Sequence, residues 1–133
     1  MNSTRLTAGE LTNRQEALKK ILQSKKLAGA VIFRPQRIQY LTNFVHLSTE
    51  RPIALVIQVN GDPAMLVPKL EEEHLQLQAP WLEDIYVYDE YPGLRHPMHY
   101  LVELINETGL GDKKLGVDNN GFLDQNSYQG PLL

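Results

Sequence analysis

The sequence predicts a single α/β domain, a mixed β-sheet flanked by helices. Two observations carry this. Segments with helical spacing alternate with short apolar runs of strand length, and two of those runs are joined by Asn60-Gly61-Asp62-Pro63, whose Asn-Gly pair signals a hairpin. The interleaving argues for an α/β sandwich, and the hairpin for a sheet that is not purely parallel. A chain of 133 residues fits one domain, 1–133, and its 42% hydrophobic and 22% charged residues are ordinary for a folded soluble protein.

The elements follow in order. Residues 1–11 read as a loosely docked start. Asn13 with Glu16 three positions on matches a capping box, and an apolar stripe of Ala17, Leu18, Ile21 and Leu22 carries a helix to about Lys26. Ala28–Phe33 reads as a buried strand ended by Arg34-Pro35. Arg37–Phe44 has the spacing of a short helix, with Ile38, Tyr40, Leu41 and Phe44 as core candidates, and polar Val45–Pro52 is a loop.

Ile53–Val59 and Ala64–Val67 are the two arms of the hairpin, with Gly61 expected at positive φ in the turn. Pro68 ends the second arm. Leu70–Gln78 then starts a helix whose first turn holds Glu71, Glu72 and Glu73, as suits the positive end of a helix dipole. Asp84–Tyr88 is a strand broken by Tyr91-Pro92-Gly93. Pro97–Thr108 is an amphipathic helix with Gly109 at its C′ stop, and Lys114–Val117 is a last strand.

Composition bounds the function. Met1–Glu10 lacks the apolar centre of a signal peptide and runs such as Ile53–Ile57 are only strand-sized, so neither a leader nor a membrane span is expected. The absence of cysteine removes disulfides and thiol chemistry and fits a reducing cytoplasm, the expected location. The net charge of −3 hides an uneven distribution: residues 1–37 hold eight Lys/Arg against two Glu, and residues 38–133 hold five against fourteen acids. The lysines at 19, 20, 25 and 26 lie around the first helix without interleaved aromatics, the pattern of a solvated face, so no nucleic-acid partner is expected. An anion-surface binder is the weaker rival, and salt-dependent binding would mark it.

The search for chemistry comes back nearly empty. His46, His74, His96 and His99 are the only side chains suited to acid/base work at neutral pH. His96, His99 and Glu103 suggest a two-His, one-carboxylate set, but a helix starting near Pro97 leaves His96 outside it, and a surface cap is the better reading. Glu71-Glu72-Glu73-His74 reads as a solvated first turn, because adjacent helical residues diverge. Gly109-Leu110-Gly111 has Lys114 where a dinucleotide fingerprint needs a third glycine, and no Walker loop or Gly-x-Ser-x-Gly elbow occurs. A well-patterned chain with no catalytic constellation points to a support or binding domain.

The stretch Ile38-Gln39-Tyr40-Leu41-Thr42-Asn43-Phe44, then Glu50-Arg51-Pro52 and the strand from Ile53, resembles the N-terminal domain of the creatinase/prolidase/aminopeptidase P family, whose pattern is about Asn-Ile-Arg-Tyr-Leu-Thr-Gly-Phe, a loop and a strand. Asn60-Gly61-Asp62-Pro63 with Leu66-Val67-Pro68, Leu70-Glu71, and Gly109-Leu110 with Leu115-Gly116-Val117-Asp118 are similar to the next pieces in the same order. Asn43 stands for the usual glycine, and Asn tolerates the left-handed conformation. Asp118 stands for the commoner Glu.

The resemblance implies a ribonuclease H-like fold preceding a "pita-bread" catalytic domain, in which two divalent metal ions (Mn, Co or Zn) sit on two Asp, one His and two Glu. None of those motifs is found in this chain, so no metal ligand and no catalytic residue is carried over. It implies as partners the chain's own C-terminal catalytic domain, a second subunit in a homodimer, and a small peptide or creatine-like substrate. By position in the Val45–Pro52 loop, His46 and Arg51 are the candidates for substrate contact. The alternative is a free-standing α/β module that binds a ligand or a protein and has no enzymatic half.

Overall fold

A computed structural model describes residues 7–46, 51–89 and 97–118. The chain runs α1 (Ala8–Ser24), β1 (Gly29–Ile32), α2 (Pro35–Thr42), β2 (Ala54–Gln58), β3 (Ala64–Pro68), α3 (Lys69–Gln78), β4 (Asp84–Tyr88), α4 (Pro97–Glu107) and β5 (Leu115–Val117). The strands form one mixed sheet in the order β4-β3-β2-β1-β5, antiparallel where β2 meets β1 and β3, and parallel at β3/β4 and β1/β5. This is the α/β architecture the alternation predicts. The Tyr91-Pro92-Gly93 break and His96 lie outside the described residues.

Side chains alternate across the sheet and divide the core in two. Ile32, Leu55, Ile57, Met65 and Val67 face one layer with Leu22 of α1, Ile38 and Leu41 of α2, and Leu75 of α3. Val31, Ala54, Val56, Ala64 and Leu66 face the other with Leu101 and Leu104 of α4. Close approach of β1 and β2 depends on Gly29, where a Cβ would collide with the Ile57 carbonyl. No described helix is long and apolar enough to cross a membrane.

Three expectations are corrected. The first helix starts at Ala8, and its N-cap is Thr7, whose hydroxyl accepts from the Glu10 amide at 3.1 Å. Asn13 is inside the helix. The inward stripe is Leu11, Gln15 and Leu22, while Ala17 and Ile21 face water. Gln15 hides this periodicity because it is buried for a polar reason: its amide donates to the Leu41 carbonyl at 2.9 Å and ties α1 to α2. Tyr40 is not core. It is 56% exposed, with the Arg14 guanidinium 4.2 Å from its ring centre.

The third correction concerns Gly61. Among the described residues positive φ occurs only at Lys26, Asn43 and Gly109, so Gly61 is not left-handed. The strands end at Gln58 and resume at Ala64, and a connection longer than two residues needs no mirror-image turn. The Gln58 amide closes it on the Asp62 carbonyl at 2.8 Å, and Lys19 holds the Gly61 carbonyl at 3.1 Å.

The stop at Gly109 is as the sequence reading has it. Leu110 N–H reaches the Ile105 carbonyl and Gly109 N–H that of Asn106, a Schellman pair at φ 80°. The same pair closes α1, with Lys26 at φ 59° in the glycine position.

Candidate functional site

The sharpest local order around the site comes from the end of α2. Asn43 turns left-handed, at φ 68° and ψ 12°, and closes its N–H on the Gln39 carbonyl at 2.7 Å. Thr42 bonds the Ile38 carbonyl through its hydroxyl, which also accepts from Phe44 N–H at 3.1 Å. Phe44 is thereby driven into the core, fully buried, and forms the floor on which the His46 ring stacks, 5.3 Å away and tilted by 19°.

The loop after it is fastened at both ends. Val45 N–H donates to Gln78 at the end of α3 at 2.7 Å. The Tyr88 hydroxyl, at the end of β4, donates to the Pro52 carbonyl at 2.7 Å. Between these points His46 and Arg51 line one cavity of about 400 Å³, whose far side is α3 and whose walls include Val45, Ile53, Pro68 and Leu70. The two residues singled out from the sequence therefore share one concave site.

That reading missed two more. Glu71 and His74 also line the cavity, and His74 Nδ1 stands 3.2 Å from Glu71 Oε1. The first turn of α3 is thus not wholly solvated. Adjacent residues on it do diverge, but Glu71 and His74 are three apart and share a side. That i, i+3 spacing was the available signal.

The polarity of the site follows. Burial lowers the His46 pKa from 6.5 to about 4, against a smaller upward pull from the Glu71 carboxylate. The ring is therefore neutral at pH 7, and its buried Nδ1 has no hydrogen-bond partner among the described residues. Arg51 adds a cation and Glu71 an anion to the lining. Such a cavity can orient a small polar ligand, with an apolar wall to cover it. Metal ligation fits poorly: among the described residues no three His, Cys, Asp or Glu side chains converge. His99 is exposed on α4, the helix that packs on the opposite layer of the sheet.

At the other end of α2, Asp118 has a role that its likeness to a family motif did not disclose. Its carboxylate, 4% exposed, accepts from the backbone N–H groups of Phe33 at 2.8 Å and Arg34 at 3.1 Å, and lies 3.5 Å from Arg37 Nη1. It binds β5 to the β1–α2 junction from 85 residues away, so it helps to set the direction in which α2 delivers Phe44 and His46 to the cavity.

Comparison with known proteins agrees with this architecture. The family model for the creatinase/prolidase N-terminal domain matches residues 14–129. An uncharacterized peptidase of Staphylococcus haemolyticus is 30% identical over 119 residues, which cover 83% of this chain and 34% of that protein. The chain thus spans about a third of the length of that relative. The N-terminal domain of a Xaa-Pro dipeptidase from Lactobacillus brevis matches the fold with a TM-score of 0.71 at 19% identity, covering 89% of this chain and 90% of that one. A recombinant prolidase from Thermococcus sibiricus matches with a TM-score of 0.69 at 23% identity, over 82% of this chain and 28% of that one. With the family model covering most of its length, and with the sheet and helices arranged as in these domains, the chain belongs to the creatinase/prolidase N-terminal domain family.

Proposed function

We propose that this chain acts as the non-catalytic N-terminal domain of a cytoplasmic Xaa-Pro dipeptidase-, aminopeptidase- or creatinase-like metallohydrolase. In this reading it shapes the substrate pocket and takes part in a homodimer. The chemistry belongs to a C-terminal catalytic domain that holds two divalent metal ions (Mn, Co or Zn), and the substrate is a small peptide or creatine-like molecule. The observation that carries the proposal is the convergence of His46 and Arg51 on one cavity of a domain otherwise built as scaffold.

The division of labour is physical. Arg51 suits a substrate carboxylate, because a guanidinium can meet both oxygens at once. His46, kept neutral by burial, offers a hydrogen bond without adding charge, and its stacking on Phe44 fixes the ring plane. Neither group is asked to break a bond.

The test uses the longer polypeptide with its catalytic half. Arg51→Ala is expected to raise KM or lower kcat/KM by roughly tenfold or more, the loss of one charged contact, with metal content and melting temperature unchanged. Unaltered kinetics in a normally assembled protein would take Arg51 out of the site.

A further inference from the structure

The residues around the cavity are held in two different ways. Glu71 and His74 stand on α3, whose end is closed: Ala79 N–H meets the Leu75 carbonyl at 2.8 Å, Leu82 N–H meets that of Ala79 at 3.0 Å, and Ala79 is fully buried. His46 stands outside any helix or strand, beyond the left-handed cap of α2. A side chain placed on a loop is only as well fixed as the contacts that support it.

Burial supplies one of those contacts. Phe44 is anchored in the core and offers its ring to the imidazole, but a stacked pair tolerates offset and so leaves the imidazole free to slide. Val45, between the two, is 53% exposed, so its apolar side chain anchors little. Among the described residues, the hydrogen bond that ties this stretch to another element runs from Val45 N–H to Gln78 Oε1, at 2.7 Å. A backbone N–H can only donate, so the oxygen of the Gln78 amide is the atom that meets it. Glu71, His74 and Gln78 follow the i, i+3, i+7 spacing of one helical face, and all three line the cavity.

We infer that Gln78 is a positioning residue: by holding Val45 N–H it sets where His46 presents its imidazole to a ligand in the cavity. The inference rests on the substrate-contact reading of His46 and adds to it a residue that acts through the chain. The tie joins His46 to the same helical face that carries Glu71 and His74, so the spacing between the imidazole and that wall depends on one hydrogen bond. Without it the ring can drift along Phe44, and a displacement of about 1 Å is enough to weaken a directed contact.

NMR of the 133-residue chain at about pH 8, where an ordinary imidazole is neutral, tests the tie by following the His46 ring protons in the ring current of Phe44. Gln78→Ala should move these resonances toward their random-coil positions while the melting temperature stays within about 4 °C of the original, since one hydrogen bond near the surface contributes little. Gln78→Glu, whose carboxylate accepts the same N–H, should return them. In the longer polypeptide with its catalytic half, Gln78→Ala should raise KM roughly three- to tenfold at unchanged kcat, the scale of one neutral hydrogen bond. In a His46→Phe background the same substitution should change KM by less than about twofold, because the two residues act as one unit. Unmoved His46 resonances overturn the inference, as does an equal KM loss in both backgrounds, which would make Gln78 a structural residue or a direct contact. If Gln78→Ala leaves KM unchanged while Arg51→Ala raises it, the positioning inference falls and the substrate-contact reading stands; if neither raises it, both fall.

Discussion

At the N-terminal end of α2 a buried carboxylate is used up by the fold: Asp118 accepts two backbone N–H groups and faces Arg37. At the C-terminal end the chain delivers a half-buried imidazole whose buried Nδ1 has no partner among the described residues, on a floor of Phe44 and beside an open cavity. An unsatisfied buried polar atom lowers stability, and a satisfied one repays its desolvation. The difference teaches where to look for function. A polar group that the fold has consumed holds structure in place, whereas one left with an open valence beside a cavity is positioned for a ligand or a water.

The largest effect should come from breaking the consumed end. Asp118→Ala leaves the Phe33 and Arg34 amides without their acceptor and should destabilise the domain by about 2–3 kcal/mol, with Asp118→Asn losing roughly half as much. Urea unfolding measures both. A loss below about 0.5 kcal/mol for Asp118→Ala would erase the contrast.

The other end should show itself in pH. The folded pKa of His46, about 4, lies below its ordinary 6.5, so between these values the unfolded chain binds more protons than the folded one. The stabilisation is therefore fully present above pH 6.5 and is lost as the pH falls toward 4. Allowing for the part of the ring that stays in water, the loss is about 2 kcal/mol. His46→Phe keeps the ring on Phe44 and removes the titration, so it should flatten this part of the stability profile and leave stability at pH 7 within about 1 kcal/mol of the original. Identical acid-side losses in the two proteins would show that the imidazole is not held neutral by burial.

The smallest effects sharpen the backbone part of the comparison. Asn43 directs the chain from α2 into the site in a left-handed conformation. Asn43→Ala should cost about 1 kcal/mol in thermal unfolding, and Asn43→Gly should stay within about 0.5 kcal/mol, because only the former adds strain at positive φ. Equal values would mean that the turn is held by its neighbours and not by the residue.

Much of this molecule was legible in local pattern. Residues one, three or four apart interact whatever the rest of the chain does, so the apolar runs Ala28–Phe33 and Ile53–Val59, the stripe Leu101–Leu104 and the stop at Gly109 could be read directly from residue type and spacing, whereas the left-handed turn at Asn43 came with the family likeness. The family likeness rested on the same short pieces in their order. It made His46 and Arg51, in a loop already read from its polarity and proline, the candidates for substrate contact.

Tertiary structure alone decided the rest, because the partners involved are distant in sequence. Gln15 is inward-facing only because the Leu41 carbonyl is there to receive it, and this is why the start of α1 was misread. Gly61 escapes the left-handed conformation because Gln58 and Lys19 close its connection. Asp118 becomes a clamp only when β5 lies beside β1. The cavity itself forms because the segment that follows α2 is tied to the end of α3, which brings Glu71 and His74 into one lining with His46 and Arg51. Local propensity follows from the bonds and sterics of near neighbours, whereas burial, including that of the His46 Nδ1 atom, exists only after the layers have packed.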